Sequence, residues 1–300
     1  MNTAPLTVLV VGATGSIGRL AVEESIRHGH RTRALVRPAA RAESPPAGAH
    51  AVAGDLTRAD TLAEAVDGVD AVVFTHGSHG GARDAELVDY GAVRNTLAAL
   101  GSRPARIALM TTVGVTKHTP GHDWKRRGER LVRASGLPYT IVRPGWFDYN
   151  APDQHHVVME QGDRKWAGDP SDGVISRRQI AQVLVASLTS PAAVGKTLEL
   201  AVERGPAQAD LEPLFDELQP DAPGSLDAVL DVDNMPLENE PVAVREQLLD
   251  IRDRWRTCRR RAFPARSATW SSGSTGRRKP SCPLCAQPSV RSIRRFPSTT

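Results

Sequence analysis

"VLVVGATGSIGR", residues 8–19, places three glycines, Gly12, Gly15 and Gly18, directly behind a continuous apolar run and ahead of a helical pattern. A β-branched run without polar alternation suits a strand buried on both faces. Glycine has no Cβ, so its backbone can turn tightly and approach a ligand closely. The helix that follows adds unpaired N–H groups and positive potential. Strand, G-x-x-G-x-x-G, helix is thus the layout of a pyrophosphate cradle, with Thr14, Ser16, Ile17 and Arg19 beside the three glycines. The spacing departs from the G-x-G-x-x-G fingerprint, so its position at the head of a βαβ series carries the weight. A plain glycine turn is the competing reading.

Apolar runs and helical patterns alternate through the first two hundred residues. Strands are expected at 6–11, 31–37, 50–57, 70–77, 105–115 and 138–146, and helices at 17–28, 61–66, 85–100 and 125–136. The fold class that follows is α/β, a doubly wound Rossmann-type parallel sheet covered on both faces. After Asn150 the pattern loosens, with a helix at 175–190, a late strand at 196–202, and short helical candidates at 211–218 and 242–254. The organisation expected is a dinucleotide-binding core over 1–150 and a smaller substrate-side region over 151–255 that includes a late helix and strand of the core. A disordered basic tail is expected over 256–300.

The net charge of +4 belongs to that tail, because residues 254–300 hold twelve Lys or Arg and no Asp or Glu. The first 253 residues keep 26 of the 38 basic side chains and all 34 acidic ones, which argues against a core that binds nucleic acid. No stretch approaches the ~20 apolar residues of a membrane span, and the N-terminus has no basic n-region. The three cysteines, Cys258, Cys282 and Cys285, all fall near or in the tail, which fits a cytoplasmic protein without disulfides. "CPLC" has a zinc-like spacing, but all nine histidines precede residue 157, so no metal site is expected. The abrupt change of composition also admits a frameshifted C-terminus, and the Arg runs admit binding to nucleic acid or anionic lipid.

"VLVVGATGSIGR", "GDLT" (54–57), "ASGLPYTIVRPG" (134–145) and "SRRQIAQVLVASL" (176–188) occur in that order. Together they resemble the atypical or extended short-chain dehydrogenase/reductase superfamily, in its NmrA-like NAD(P)H-binding branch, over about residues 5–205. The resemblance implies a bound nicotinamide dinucleotide. It places Asp55 and Leu56 at the adenine and Pro144 and Gly145 beside the nicotinamide. By the switch-point rule Thr75, His76 and Gly77 face the cofactor cleft. Asp55 can also cap the helix that follows it. A carboxylate closing the second strand would bind the ribose hydroxyls of NAD. Here the strand closes on Arg37, which with Arg19 suits the phosphate of NADP. NADP is the expected cofactor and NAD the alternative.

The family's reductases use Tyr-x-x-x-Lys with a Ser or Thr. Alignment sets Lys125 at the lysine position and Thr111 and Thr112 at the hydroxyl position, and the tyrosine position falls on Gly121. Lys125 and Thr112 are the catalytic candidates, with a solvated helix lysine beside Arg126 and Arg127 as the other reading of Lys125. The proton donor is missing, and Tyr149, His118, His122 or Asp123 could replace it. Trp146 and Phe147 either wall a substrate pocket or cover the sheet edge. The function expected is NAD(P)-dependent hydride transfer to a small carbonyl, quinone or similar acceptor. An NmrA-like NADP-binding redox sensor without turnover is the alternative, and an epimerase-like activity a third. The expected partners are a small-molecule substrate, with a homodimer allowed.

Overall fold

The computed structural model describes residues 4–37, 45–78 and 80–262, with side chains through Arg254. Eight strands form one sheet: β1 (Thr7–Val11), β2 (Arg31–Val36), β3 (His50–Ala53), β4 (Ala71–Phe74), β5 (Arg106–Met110), β6 (Tyr139–Pro144), β8 (His156–Glu160) and β10 (Lys196–Glu203). Their order is β3-β2-β1-β4-β5-β6-β10-β8, and every pairing is parallel except β10 with β8. The order reverses at β1, the topology of a doubly wound Rossmann-type sheet with its switch point between β1 and β4. A two-stranded piece, β7 (Trp146–Phe147) with β9 (Val174–Ile175), lies beyond the end of β6.

Both faces of the sheet are covered, as the unbroken apolar strands require. On one face α1 (Ser16–Arg27) packs against α6 (Arg177–Ser187), around Val8, Val10, Val73 and Leu198. On the other lie α2 (Ala63–Val66), the chain of α3 (Ala82–Ala85), a π turn at Glu86–Tyr90 and α4 (Gly91–Leu100), and then α5 (Pro120–Ser135), over Leu9, Val11, Phe74 and Ile107. Gly136, left-handed at φ 63°, ends α5 where the sequence places the stop. Next come α7 (Glu212–Glu217) and α8 (Val242–Ala262), the latter seated on α5. Residues 4–262 of this set lie in one compact unit.

Three features depart from expectation. Strand β8 was not foreseen, because "HVVME" is a short edge segment whose three apolar residues are consecutive and show no alternation. Helix α8 runs past Arg254 to Ala262, into the region expected to be unstructured from 256. The rest of that expected tail, from residue 263, lies outside the described residues, as do Cys282 and Cys285. Thirdly, α5 buries three arginines for which no partner was expected. Arg126, Arg130 and Arg133 are buried under the 221–240 segment, held by Asp227, Glu240 and Asp221. Arg143 of β6 is fully buried between Glu129 and Asp231. The acidic, Pro-rich stretch is therefore the counter-charge of a basic helix. Among the described residues no helix is long and apolar enough to cross a membrane.

Candidate dinucleotide site and acceptor cavity

The glycine loop leaves β1 and turns into α1 under tight steric control. Gly12 sits at φ +83°, and a Cβ on it would meet the His76 backbone nitrogen at 2.7 Å. A Cβ on Gly18 would fall 1.9 Å from the Gly12 carbonyl oxygen. These two glycines thus let the loop close on itself and lie against the end of β4. Gly15 is the N-cap of α1 and provides no side-chain cap, so the first-turn N–H groups of this 12-residue helix stay available to a ligand. Thr14, Gly15 and Ser16 are exposed at that point, whereas Ile17 packs into the core and offers only its backbone. Arg19 follows, half-buried.

The other expected residues line up along the same C-terminal edge of the sheet. Arg37 ends β2 and is exposed. The Asp55 carboxyl is held below its ordinary range chiefly by the amide and hydroxyl that Thr57 donates to it, with smaller contributions from the Arg58 and Arg37 charges. Asp55 therefore caps its own turn, and Leu56 gives its carbonyl to Asn95 Nδ2 at 2.7 Å. Thr75 turns inward, its hydroxyl donating to the Val11 carbonyl at 2.9 Å. His76 donates from Nε2 to the Asp89 carbonyl, and its Nδ1 is buried without a partner. Burial pushes the His76 imidazole down to about 4, so the ring is neutral. The side chains of Thr75 and His76 are committed inside the protein, which leaves ligand contact to their backbone and to the exposed Gly77. Pro144 is buried at the end of β6, and a Cβ on Gly145 would fall 2.4 Å from the Gly173 oxygen. From β2 to β6 this row crosses four strand spacings, roughly 19 Å at ~4.8 Å each. An extended dinucleotide fits such a row, and the open helix N-terminus within it fits a pyrophosphate.

Beyond β5 and β6 lies a cavity of about 460 Å³. Thr112, Gly114, Lys117, His122, Gly145, Trp146, Phe147, Lys165 and Trp166 are among the residues that line it. Trp146 and Phe147 thus wall a pocket. Thr112 stands on the wall with its hydroxyl donating to the Val113 carbonyl at 3.2 Å. Lys125 is engaged elsewhere, 2.8 Å from Asp89, a buried residue in the π turn that also receives the Ser78 amide and hydroxyl. The lysine is thus paired rather than freely solvated, with its side chain 20% exposed.

Of the four substitute donors, His122 alone lines the cavity. Its Nδ1 donates to the Lys117 carbonyl at 3.2 Å. His118 and Asp123 pair with each other at 3.0 Å, and His118 Nε2 donates to the Asn234 carbonyl. Those contacts hold the His118 imidazole above its ordinary value, the Asp123 bond contributing most. Tyr149 is 63% exposed and meets Trp146 edge-on, ring centres 5.8 Å apart.

The sequence reading missed Asp163, Lys165, Trp166 and Asp172. Asp163 is fully buried at φ 46° and receives the amides of Gly114 and Thr116 at 2.6 Å each, which fixes the wall that carries Thr112 and Lys117. Trp166, a lone aromatic in a chain that is only 4% aromatic, was the available signal.

The fold and this row of backbone groups define a Rossmann-type dinucleotide-binding protein. Residues 12–191 match the profile of the NAD(P)H-binding family, and the chain belongs to that family. It is 33% identical over 196 residues to the uncharacterized sugar epimerase YhfK of Bacillus subtilis, covering 61% of this chain and 88% of that one. It is 32% identical over 191 residues to the NAD(P)H azoreductase of Xenophilus azovorans, covering 61% and 64%. The pea chloroplast protein TIC 62 is 28% identical over 224 residues, and the match spans only 40% of that longer protein. Among solved structures, a Bacillus halodurans protein assigned to the NAD-dependent epimerases/dehydratases superposes with a TM-score of 0.59 at 25% identity, covering 71% of this chain and 100% of that one.

Proposed function

We propose that the chain is an NADP(H)-dependent oxidoreductase that passes hydride to a small carbonyl, quinone or similar acceptor in the cavity beside Thr112 and Gly145. The observation that carries this reading is the exposed Arg37 closing β2. A carboxylate there would favour NAD, whereas a guanidinium faces a phosphate bidentately. The cofactor, when bound, supplies the hydride. The first-turn amides of α1 would hold its pyrophosphate, Gly12 and Gly18 let the backbone come close, and Gly145 shapes the edge beside the acceptor. The acceptor also needs a proton. With His122 Nδ1–H donating to a carbonyl, the neutral ring carries no proton on Nε2, so the ring gives that proton, directly or through water, from its imidazolium form, which is reloaded from solvent. The azoreductase relative supports a redox reading. The cytoplasm is the compartment proposed, because the cysteines stand at 258 and beyond.

A second reading is favoured by one pair of facts: Gly121 stands at the tyrosine position, and Lys125 is bound by Asp89. Together they suit an NmrA-like protein that binds NADP without turning it over. The test is loss of reduced-nicotinamide absorbance when the purified chain meets NADPH with a quinone, an azo dye or an aldehyde. Consumption above the enzyme-free rate supports the oxidoreductase. Tight NADPH binding with no consumption across the panel would establish the sensor instead.

A further inference from the structure

The walls of the acceptor cavity narrow the class of molecule it takes. Trp146 and Phe147 come from β7, and Trp166 lines the cavity with them, 39% exposed and anchored by its indole N–H to the Asp163 carbonyl at 2.5 Å. Gly114, left-handed at φ +74°, carries the wall past the His122 ring and the Trp166 indole. The polar lining groups are mostly spent inside the wall: the Thr112 hydroxyl donates to the Val113 carbonyl, the Thr119 hydroxyl accepts the His122 amide at 3.1 Å, and His122 Nδ1 donates to the Lys117 carbonyl. Asp172 is the one carboxylate among the described lining residues, and both its oxygens are taken by the amides of Ala167 and Gly168, at 2.8 and 2.6 Å. A sugar ring would therefore find few partners for its hydroxyls, whereas aromatic faces stack on indole and phenyl surfaces.

The charge at the rim has one sign. Lys117 spends one N–H on the Trp166 carbonyl, at 2.9 Å, and keeps two for a ligand. Lys165 pairs with Glu160 at 2.5 Å, but both side chains are more than 40% exposed. Such a pair is weak and exchanges readily. The Asp172 charge is met by backbone amides inside the wall. We propose that the acceptor is a flat two- or three-ring aromatic molecule carrying an anionic substituent, its rings against Trp146 and Trp166 and its anion at Lys117 and Lys165. This rests on reading the cavity as the acceptor side of the nicotinamide site.

The test is calorimetric titration of the full chain, alone and loaded with NADP+, which cannot reduce the probe. The probes are anthraquinone sulfonate, neutral hydroxymethyl anthraquinone and a nucleotide sugar. The sulfonate should bind about tenfold more tightly than the neutral quinone, an advantage lost in Lys117→Gln/Lys165→Gln. Trp166→Leu should weaken both quinones roughly 3- to 10-fold, the worth of one aromatic contact, while NADP+ affinity stays unchanged and reports intact folding. Equal affinity for the two quinones would overturn the anionic part, and a nucleotide sugar binding more tightly than either would overturn the aromatic part. A chain that binds the sulfonate but not NADP+ would sink the cofactor reading while supporting this one.

Discussion

Glu199 stands in β10 opposite Arg143 of β6 and opposite Glu160 of β8. One carboxylate oxygen accepts from Arg143 at 3.2 Å and the other from the Asp163 amide at 3.1 Å. Arg143 already serves Glu129 and Asp231 at 2.7 to 3.0 Å, so it compensates Glu199 poorly. Burial, reinforced by the Asp163 charge, pushes the Glu199 carboxyl from its ordinary 4.5 to about 7. Between those values the folded chain keeps a proton that the unfolded chain has released. Stability therefore falls as pH rises through the window, by about 3 kcal/mol in all, at ~1.4 kcal/mol per unit.

His76 acts in the opposite sense over nearly the same interval. Lowered from 6.5 to about 4, it makes the folded chain bind fewer protons, so stability rises with pH there. The two contributions nearly cancel in the wild type, and the difference between variants carries the prediction. Glu199→Gln mimics the protonated acid. Urea unfolding followed by circular dichroism should show the variant gaining on the wild type by up to about 3 kcal/mol from pH 4.5 to above pH 7. A difference that stays constant across that range would refute the reasoning.

Gly18→Ala drives a methyl into the Gly12 carbonyl, so it should lower thermal stability and abolish dinucleotide binding together, measured by melting and calorimetry. Asp89→Asn leaves Lys125 half-buried without its counter-charge and should cost about 2 kcal/mol in urea unfolding, less than a fully buried pair because Lys125 is 20% exposed. His122→Gln should lower kcat with a carbonyl acceptor about 100-fold, the usual worth of a positioned proton donor, and leave NADPH affinity unchanged. Glu129, brought down to about 2 against its own burial by Arg143 and Arg133, should withdraw its contribution as pH falls from 4.5 through 2.

The glycine loop and the seven parallel strands were legible because both are local. A buried parallel strand is a continuous apolar run, and a cradle is a spacing of glycines. Edge strand β8 was not, since five residues with both ends exposed carry no clear period. The fate of Arg126, Arg130 and Arg133 was equally hidden. Their partners Asp227, Glu240 and Asp221 lie about a hundred residues away, and a basic helix reads as solvated until its counter-charge is placed. The acidic stretch that follows β10 was the available hint. In the cavity, Thr112 and Gly145 follow from strand ends, whereas Trp166 and Asp163 arrive on a loop with no periodicity. Asp89 takes its place from a π turn that no sequence pattern announces.

The most direct test is calorimetric titration of the full chain with NADPH and with NADH, repeated on Arg37→Asp. NADPH should bind more tightly than NADH to the wild type, and the substitution should abolish that preference. No binding of either dinucleotide, or a preference for NADH that survives the substitution, would contradict the account.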